Sequence, residues 1–174
     1  ITVDREIDIR SAKGWWSKFK LFRWYSFLTM QRFVARRIDR ILAVAESSAN
    51  DTSRAFKIQR QNFRVVYNGV DLDLFHSDDS VRKEPNNIIV VGGYSPIKGL
   101  THLLGALSIL RNEMNLKLTI VGGPPDGKYS GGLVRQYGLQ DMVTFTGRIS
   151  NDELVKRYSA AQVAAVPSLY EGFG

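Results

Sequence analysis

The sequence predicts an α/β protein organised around a parallel β-sheet, and three observations carry that prediction. Short apolar runs rich in Ile and Val recur between residues 88 and 166, stretches of helical periodicity separate them, and glycine-rich segments follow the runs. Strand-length runs alternating with amphipathic helices at this spacing imply right-handed βαβ units, and therefore a parallel sheet covered on both faces.

Residues 11–39 contain no proline, and Phe27, Met30, Val34, Ile38 and Ile41 recur at helical spacing, so one long helix or two are expected there. The run 41–45 has the length and flanks of a buried strand. Ser47, Ser48 and Asn50 then offer side-chain oxygens to cap a helix that fades near Ile58. Residues 64–67 read as a strand broken by Asn68-Gly69, and the polar stretch 76–87 as a loop. The regular series follows: strand 88–91, helix 98–112, strand 117–121, helix 131–137, strand 142–146, helix 151–159 and a buried strand 163–166 that ends at Pro167. Three parts are expected, namely residues 1–68 of one domain, a linker over 69–87, and a second domain over 88–174.

Composition narrows the function classes. A hydrophobic fraction of 44% and a charged fraction of 24% suit a folded globular protein, and the absence of cysteine excludes a disulfide scaffold, a thiol nucleophile and cysteine-based metal sites. No apolar run approaches the ~20 residues needed to cross a bilayer as a helix. The net charge of +7 is concentrated between Arg10 and Arg40, where nine Lys/Arg face only Asp39. A local basic patch of that kind suits one anionic surface rather than nucleic acid. Trp15, Trp16, Phe19, Phe22 and Trp24 are interleaved with those cations. The mixture fits an interfacial helix on anionic lipid, while the spacing of the aromatics also fits packing inside a domain. A cytoplasmic setting is expected, with peripheral contact at the inner face of a membrane through residues 11–40.

In a parallel sheet the ligand sits beyond the carboxyl ends of the strands. The segments expected there are GGYSPIKG (92–99), GGPPDGKYSGG (122–132), TGRISN (146–151) and PSLYEGFG (167–174). Backbone N–H groups at such glycine-rich helix starts suit phosphate and sugar hydroxyls. Two decoys need removing. Gly122 through Lys128 approaches a phosphate-binding P-loop, but Tyr129 stands where Ser or Thr must hold magnesium, and Pro124 and Pro125 lack N–H donors. Asp71 and Asp73 have metal-sharing spacing, yet read best as turn residues after Asn68-Gly69; His76 and His102 are isolated.

PSLYEGFG, preceded by VVYNGVD, GGYSPIKG, VTFTGRIS and DELVKRYSAA in that order, resembles the family-four retaining glycosyltransferases of the GT-B fold over residues 41–174. The resemblance implies an incomplete Rossmann-like donor domain joined to the C-terminal part of an acceptor domain, and a chain incomplete at both ends and inactive alone. It implies transfer of a sugar from a nucleotide diphosphate sugar to a sugar or lipid-linked acceptor, with retention and without a metal or other cofactor. Carried over by position, Glu171 contacts the donor sugar and Lys98 neutralises the pyrophosphate, and these are the catalytic candidates. Gly93 stands where the family usually has a basic residue. Gly147, Arg148 and Ile149 match the nucleobase loop, and Gly172, Phe173 and Gly174 the turn facing sugar and phosphate. Read without the resemblance, Glu171 is a carboxylate beside a glycine turn at the ligand edge, with no evident packing role. A non-catalytic nucleotide-sugar binder, or a membrane-surface module, is the alternative.

Overall fold

The computed structural model describes residues 9, 10, 12, 14–92, 95–123 and 129–173. They form two compact units, one running to Gly69 and including Tyr170 onward, the other running from Val70 to Leu169.

In the first unit, helices α1 (Trp15–Trp24) and α2 (Phe27–Ala35) precede a single βαβ turn: β1 (Ile41–Ala43), α3 (Glu46–Phe56) and β2 (Phe63–Val65). β1 and β2 pair in parallel, Ile41 with Phe63 and Ala43 with Val65. Ala49 and Phe56 of α3 pack with Leu28, Ile58 and Phe63, joined by half-buried Tyr25, Ile41 and Val65. Helix α3 ends because Lys57 adopts the left-handed conformation (φ 55°), which lets the Ile58 N–H reach back to the Ser53 carbonyl.

Two expectations fail here. Ser47, Ser48 and Asn50 do not cap α3: the helix already begins at Glu46, with Ala45 as N-cap and no side-chain cap bond, and the Glu46 carboxylate in its first turn complements the helix dipole. Nor is the 41–45 run a fully buried strand. Leu42 is 70% exposed, since among the described residues only one face of this pair carries buried contacts.

The second unit is the predicted parallel sheet. Its order is β5-β4-β3-β6, from β3 (Asn87–Val91), β4 (Lys117–Val121), β5 (Val143–Gly147) and β6 (Val163–Ala164), all parallel. On one face Val90, Leu118 and Ile120 pack under α4 (Leu100–Leu110) and α5 (Ser130–Gln136), through Leu100, Leu104, Leu107 and Val134. The other face presents Ile89 and Val121 to Ala161, Ile149 and Leu154, the last on α6 (Asn151–Ala160). Alternate residues of β3 thus serve opposite faces, as the two-residue period of a strand requires. Each fully buried Leu or Ile contributes roughly 1.5–3 kcal/mol through burial.

The expected helix 98–112 is interrupted: Pro96–Lys98 form a separate 3-10 turn, and Gly99, at φ 67°, breaks the path before α4 begins. The expected buried strand 163–166 shrinks to two residues. It is a sheet edge, with Val163 53% and Val166 74% exposed, because it pairs on one side with β3 and has no neighbour on the other among the described residues.

Candidate functional site

From β3 the chain steps outward to β4 and β5 with α4 and α5 on one face, then returns through α6 on the opposite face to place β6 on the other side of β3. The winding therefore reverses between β3 and β6. In open α/β sheets the crevice beyond the carboxyl ends of such a strand pair is the ligand position. The segments that frame it here follow Val91 and Ala164.

Those segments are in direct backbone contact. The Leu169 N–H donates to the Ile97 carbonyl at 2.8 Å, and the Ala165 N–H to the Ile89 carbonyl at 2.8 Å. A Cβ on Gly99 would lie 1.9 Å from the Pro167 carbonyl oxygen. Lys98 sits half-buried at the end of the 3-10 turn, immediately before this contact and two residues before the first residue of α4. The first N–H groups of a helix lack intrahelical acceptors, so the start of α4, before the His102 N–H that donates to the Gly99 carbonyl at 2.9 Å, adds donors to this edge.

Beyond β3 and β4 the ladder runs one step further before turning away. The Gly92 N–H donates to the Val121 carbonyl at 2.9 Å, and the Gly122 N–H to the Gly147 carbonyl at 2.8 Å; Gly92, Gly122 and Gly147 all have positive φ. Of the expected nucleobase-loop residues, Gly147 ends β5, Arg148 is exposed, and Ile149 packs against the Ile89, Val121 and Ala161 cluster. The next helix, α6, is capped by Ser150, whose Oγ accepts from the Glu153 N–H at 3.2 Å.

The PSLYEGFG segment divides between the units after Leu169. In the first unit the Tyr170 hydroxyl donates to Asp51 Oδ2 at 2.9 Å, and the Ser48 hydroxyl donates to the Gly172 carbonyl. Glu171 is half-buried between them in sequence, and Phe173 is exposed. Gly93 and Gly174 lie outside the described residues, as do Gly127 and Lys128 of the P-loop decoy. The structure thus brings Lys98 and the 167–169 backbone together in the second unit, and holds residues 170–172 on α3 in the first.

Sequence reasoning missed Gly99. Its signal was available in part, as a glycine between a Pro-initiated turn and an apolar helical run, but the Pro167 contact is tertiary. It also missed Tyr170 and Ser48 as anchoring groups.

Elsewhere, Asp71 Oδ1 accepts from the N–H groups of Asp73 and Leu74 at 3.0 and 3.2 Å, so it organises its own turn. A cleft of about 450 Å3 lined by Phe75, His76, Lys83 and Tyr158 lies near the other end of α6, where the Glu84 N–H meets the Ala160 carbonyl. Burial raises the Tyr158 phenol above its ordinary pKa there.

The family model of glycosyl transferases group 1 matches residues 73–174, and that of glycosyltransferase family 4 matches residues 6–74. This chain belongs to the glycosyl transferases group 1. Among curated relatives of this group, an MMP alpha-(1->4)-mannosyltransferase of Mycolicibacterium hassiacum is 37% identical over 99% of the chain and 42% of the relative. A D-inositol 3-phosphate glycosyltransferase of Mycolicibacterium smegmatis is 32% identical over 81% of the chain and 35% of its own length. The chain therefore spans well under half of these glycosyltransferases. Among solved structures, sucrose-phosphate synthase from Thermosynechococcus elongatus superposes with a TM-score of 0.68 at 26% identity, covering 84% of this chain and 39% of that one. The group 1 chain has an α/β fold of parallel sheets, that of part of a GT-B glycosyltransferase.

Proposed function

We propose that the protein transfers a sugar from a nucleoside diphosphate sugar to an acceptor hydroxyl with retention of anomeric configuration. The observation that carries this reading is the β3/β6 winding reversal, with Lys98 and the start of α4 at its carboxyl edge. Family membership and the glycosyltransferase relatives support it. As the glycosidic bond breaks, negative charge grows on the departing diphosphate. A preorganised ammonium and helix-start N–H groups stabilise that state more than the ground state. By resemblance to the family, Glu171 orients the donor sugar, Gly147, Arg148 and Ile149 meet the base, and the turn from Gly172 meets sugar and phosphate.

The test is a transfer assay of the full-length protein with UDP- and GDP-sugars, and NMR assignment of the product anomer. Losing one charge-stabilising donor costs about 3–4 kcal/mol in the transition state, so Lys98→Ala lowers turnover a few hundredfold. Lys98→Arg restores part of it, because the guanidinium fork differs in shape from an ammonium. Turnover and nucleoside diphosphate affinity both within about twofold of wild type in Lys98→Ala would refute the reading.

A second element of the reading is contact with an anionic membrane. Trp15, Trp16, Phe19, Phe22 and Trp24 are each more than half exposed and no α1 residue is buried, while Leu21 and Tyr25 on the remaining side are half-buried. Trp16, Phe19, Lys20, Arg23 and Trp24 line a groove of about 740 Å3, which puts aromatic rings beside cations as an interfacial helix does.

A further inference from the structure

We propose that Gly99 is a positioning residue of the donor site: its missing side chain lets the loop carrying Lys98 rest on the Pro167 carbonyl, fixing that lysine for the diphosphate. The inference rests on the donor-site reading above and adds to it the element that sets the geometry of its cation.

Three observations converge. First, Gly99 has φ 67°, a conformation that a side-chain-bearing residue adopts only with strain. Second, the space for a Cβ is already filled, by the Pro167 carbonyl oxygen at 1.9 Å and carbonyl carbon at 2.8 Å. Those are backbone atoms, so no rotamer change relieves the clash. Third, the same two segments are tied by the Leu169 N–H to the Ile97 carbonyl at 2.8 Å. Ile97 and Gly99 flank Lys98, so both anchors act on the peptide units that aim its side chain.

The anchoring also has a direction. Pro167 follows β6, which is held to β3 by the Ile88–Val163 and Ile89–Ala164 pairs, so the surface under Gly99 is tied to the strand from which the Lys98 loop departs. A Cβ at residue 99 must therefore lift the loop away from β6. That displaces Lys98 and the first N–H groups of α4 together, and leaves the segment after β5, which holds Gly147 and Arg148, in place.

The experiment is calorimetric binding of UDP, GDP, UMP and GMP to the full-length protein, in the wild type, Gly99→Ala, Lys98→Ala and the double variant. The expected result is a loss of at least tenfold in affinity for the preferred nucleoside diphosphate in Gly99→Ala, with the corresponding monophosphate within about threefold. In the Lys98→Ala background the Gly99→Ala effect is at least threefold smaller than in the wild type, because the ammonium that residue 99 positions is gone and only the helix-start N–H groups remain to be displaced. Equal losses for diphosphate and monophosphate, or full additivity of the two substitutions, overturn the inference while leaving the donor site intact. If Lys98→Ala itself leaves diphosphate affinity unchanged, the donor-site reading falls and this inference with it. Thermal unfolding establishes that each variant is folded. Should Gly99→Ala not fold, replacing Leu169 by its α-hydroxy acid removes the N–H given to Ile97 and otherwise only weakens the Ser168 carbonyl as an acceptor. Selective loss of diphosphate affinity then supports the proposal, and unchanged affinity overturns it.

Discussion

The hydroxyl of Thr119 on β4 donates to the side-chain carbonyl of Asn87 on β3 at 3.1 Å, with both residues buried. Asn87 Nδ2 in turn donates to Glu84 Oε2 at 2.7 Å, so one amide ties the strand pair to the segment entering β3. Leaving a buried polar group without its partner costs about 1–3 kcal/mol. Asn87→Ala is therefore expected to destabilise the protein by about 2 kcal/mol, and Thr119→Val by less, because Asn87 keeps its bond to Glu84. Urea unfolding midpoints at constant m-value decide the order; a larger loss for Thr119→Val would contradict it.

Ser150 is the side-chain cap of α6, accepting from the Glu153 N–H, while Glu153 Oε1 accepts from Arg157 at 2.7 Å. Ser150→Ala is expected to cost about 1 kcal/mol and Ser150→Asp close to nothing, since aspartate also accepts there. The Glu153–Arg157 pair is partly exposed and contributes a few tenths of a kcal/mol at most. Equal stability of the wild type and Ser150→Ala in chemical denaturation would show that the cap bond is not formed in solution.

Glu171 is expected to separate chemistry from binding. If it orients the donor sugar, Glu171→Gln in the full-length enzyme lowers kcat about 100-fold while nucleoside diphosphate affinity stays near wild type, because misplacing a reacting centre is felt in the barrier. Steady-state kinetics beside calorimetry reads both quantities. A variant that retains kcat, or one that loses diphosphate binding, contradicts that role.

The basic aromatic surface of α1 is expected to carry the full-length protein onto vesicles containing phosphatidylglycerol and not onto neutral phosphatidylcholine. Each basic residue near an anionic surface contributes about 1 kcal/mol. Replacing Lys18, Lys20 and Arg23 by Gln should then release the protein at moderate salt in a sedimentation assay. Binding that survives these substitutions would remove the electrostatic reading, and no binding by the wild type would remove the membrane contact.

Much of the second unit was legible beforehand, because strands such as 88–91 and 117–121 are runs with no polar interruption wider than one residue, and their helices carry the 3.6 period. The ligand edge followed from the same alternation. What could not be read depended on contacts distant in sequence. Ser48 and Asn50 have cap chemistry, but their side chains bond to the Gly172 carbonyl and to Arg60, so position relative to the helix start decided their use. Ile149, matched to the nucleobase loop largely through backbone groups, also packs its side chain against Ile89 and Val121, a contact distant in sequence. Val163 and Val166 have the composition of a core strand, yet they lie on an edge that no local pattern reveals. Gly99 fell inside the helix expected over 98–112, since nothing near it in sequence announces Pro167.

The pairing of Ile89 with Ala164 also orders the assembly of the protein in time. β3, β4 and β5 join through successive short crossovers, so their pairings form as soon as each strand exists, whereas β6 must come back past two finished strands to reach β3. Contacts that close long loops form late, and a chain emerging from the ribosome cannot make them before their second half is synthesised. The carboxyl edge formed by β3 and β6, with the Leu169–Ile97 backbone bond beyond it, is thus the last part of this unit to exist. A nascent chain stalled before β6 would display a three-stranded sheet with the β3 edge open, exposed to pairing with other chains and without the edge at which donor binding is proposed.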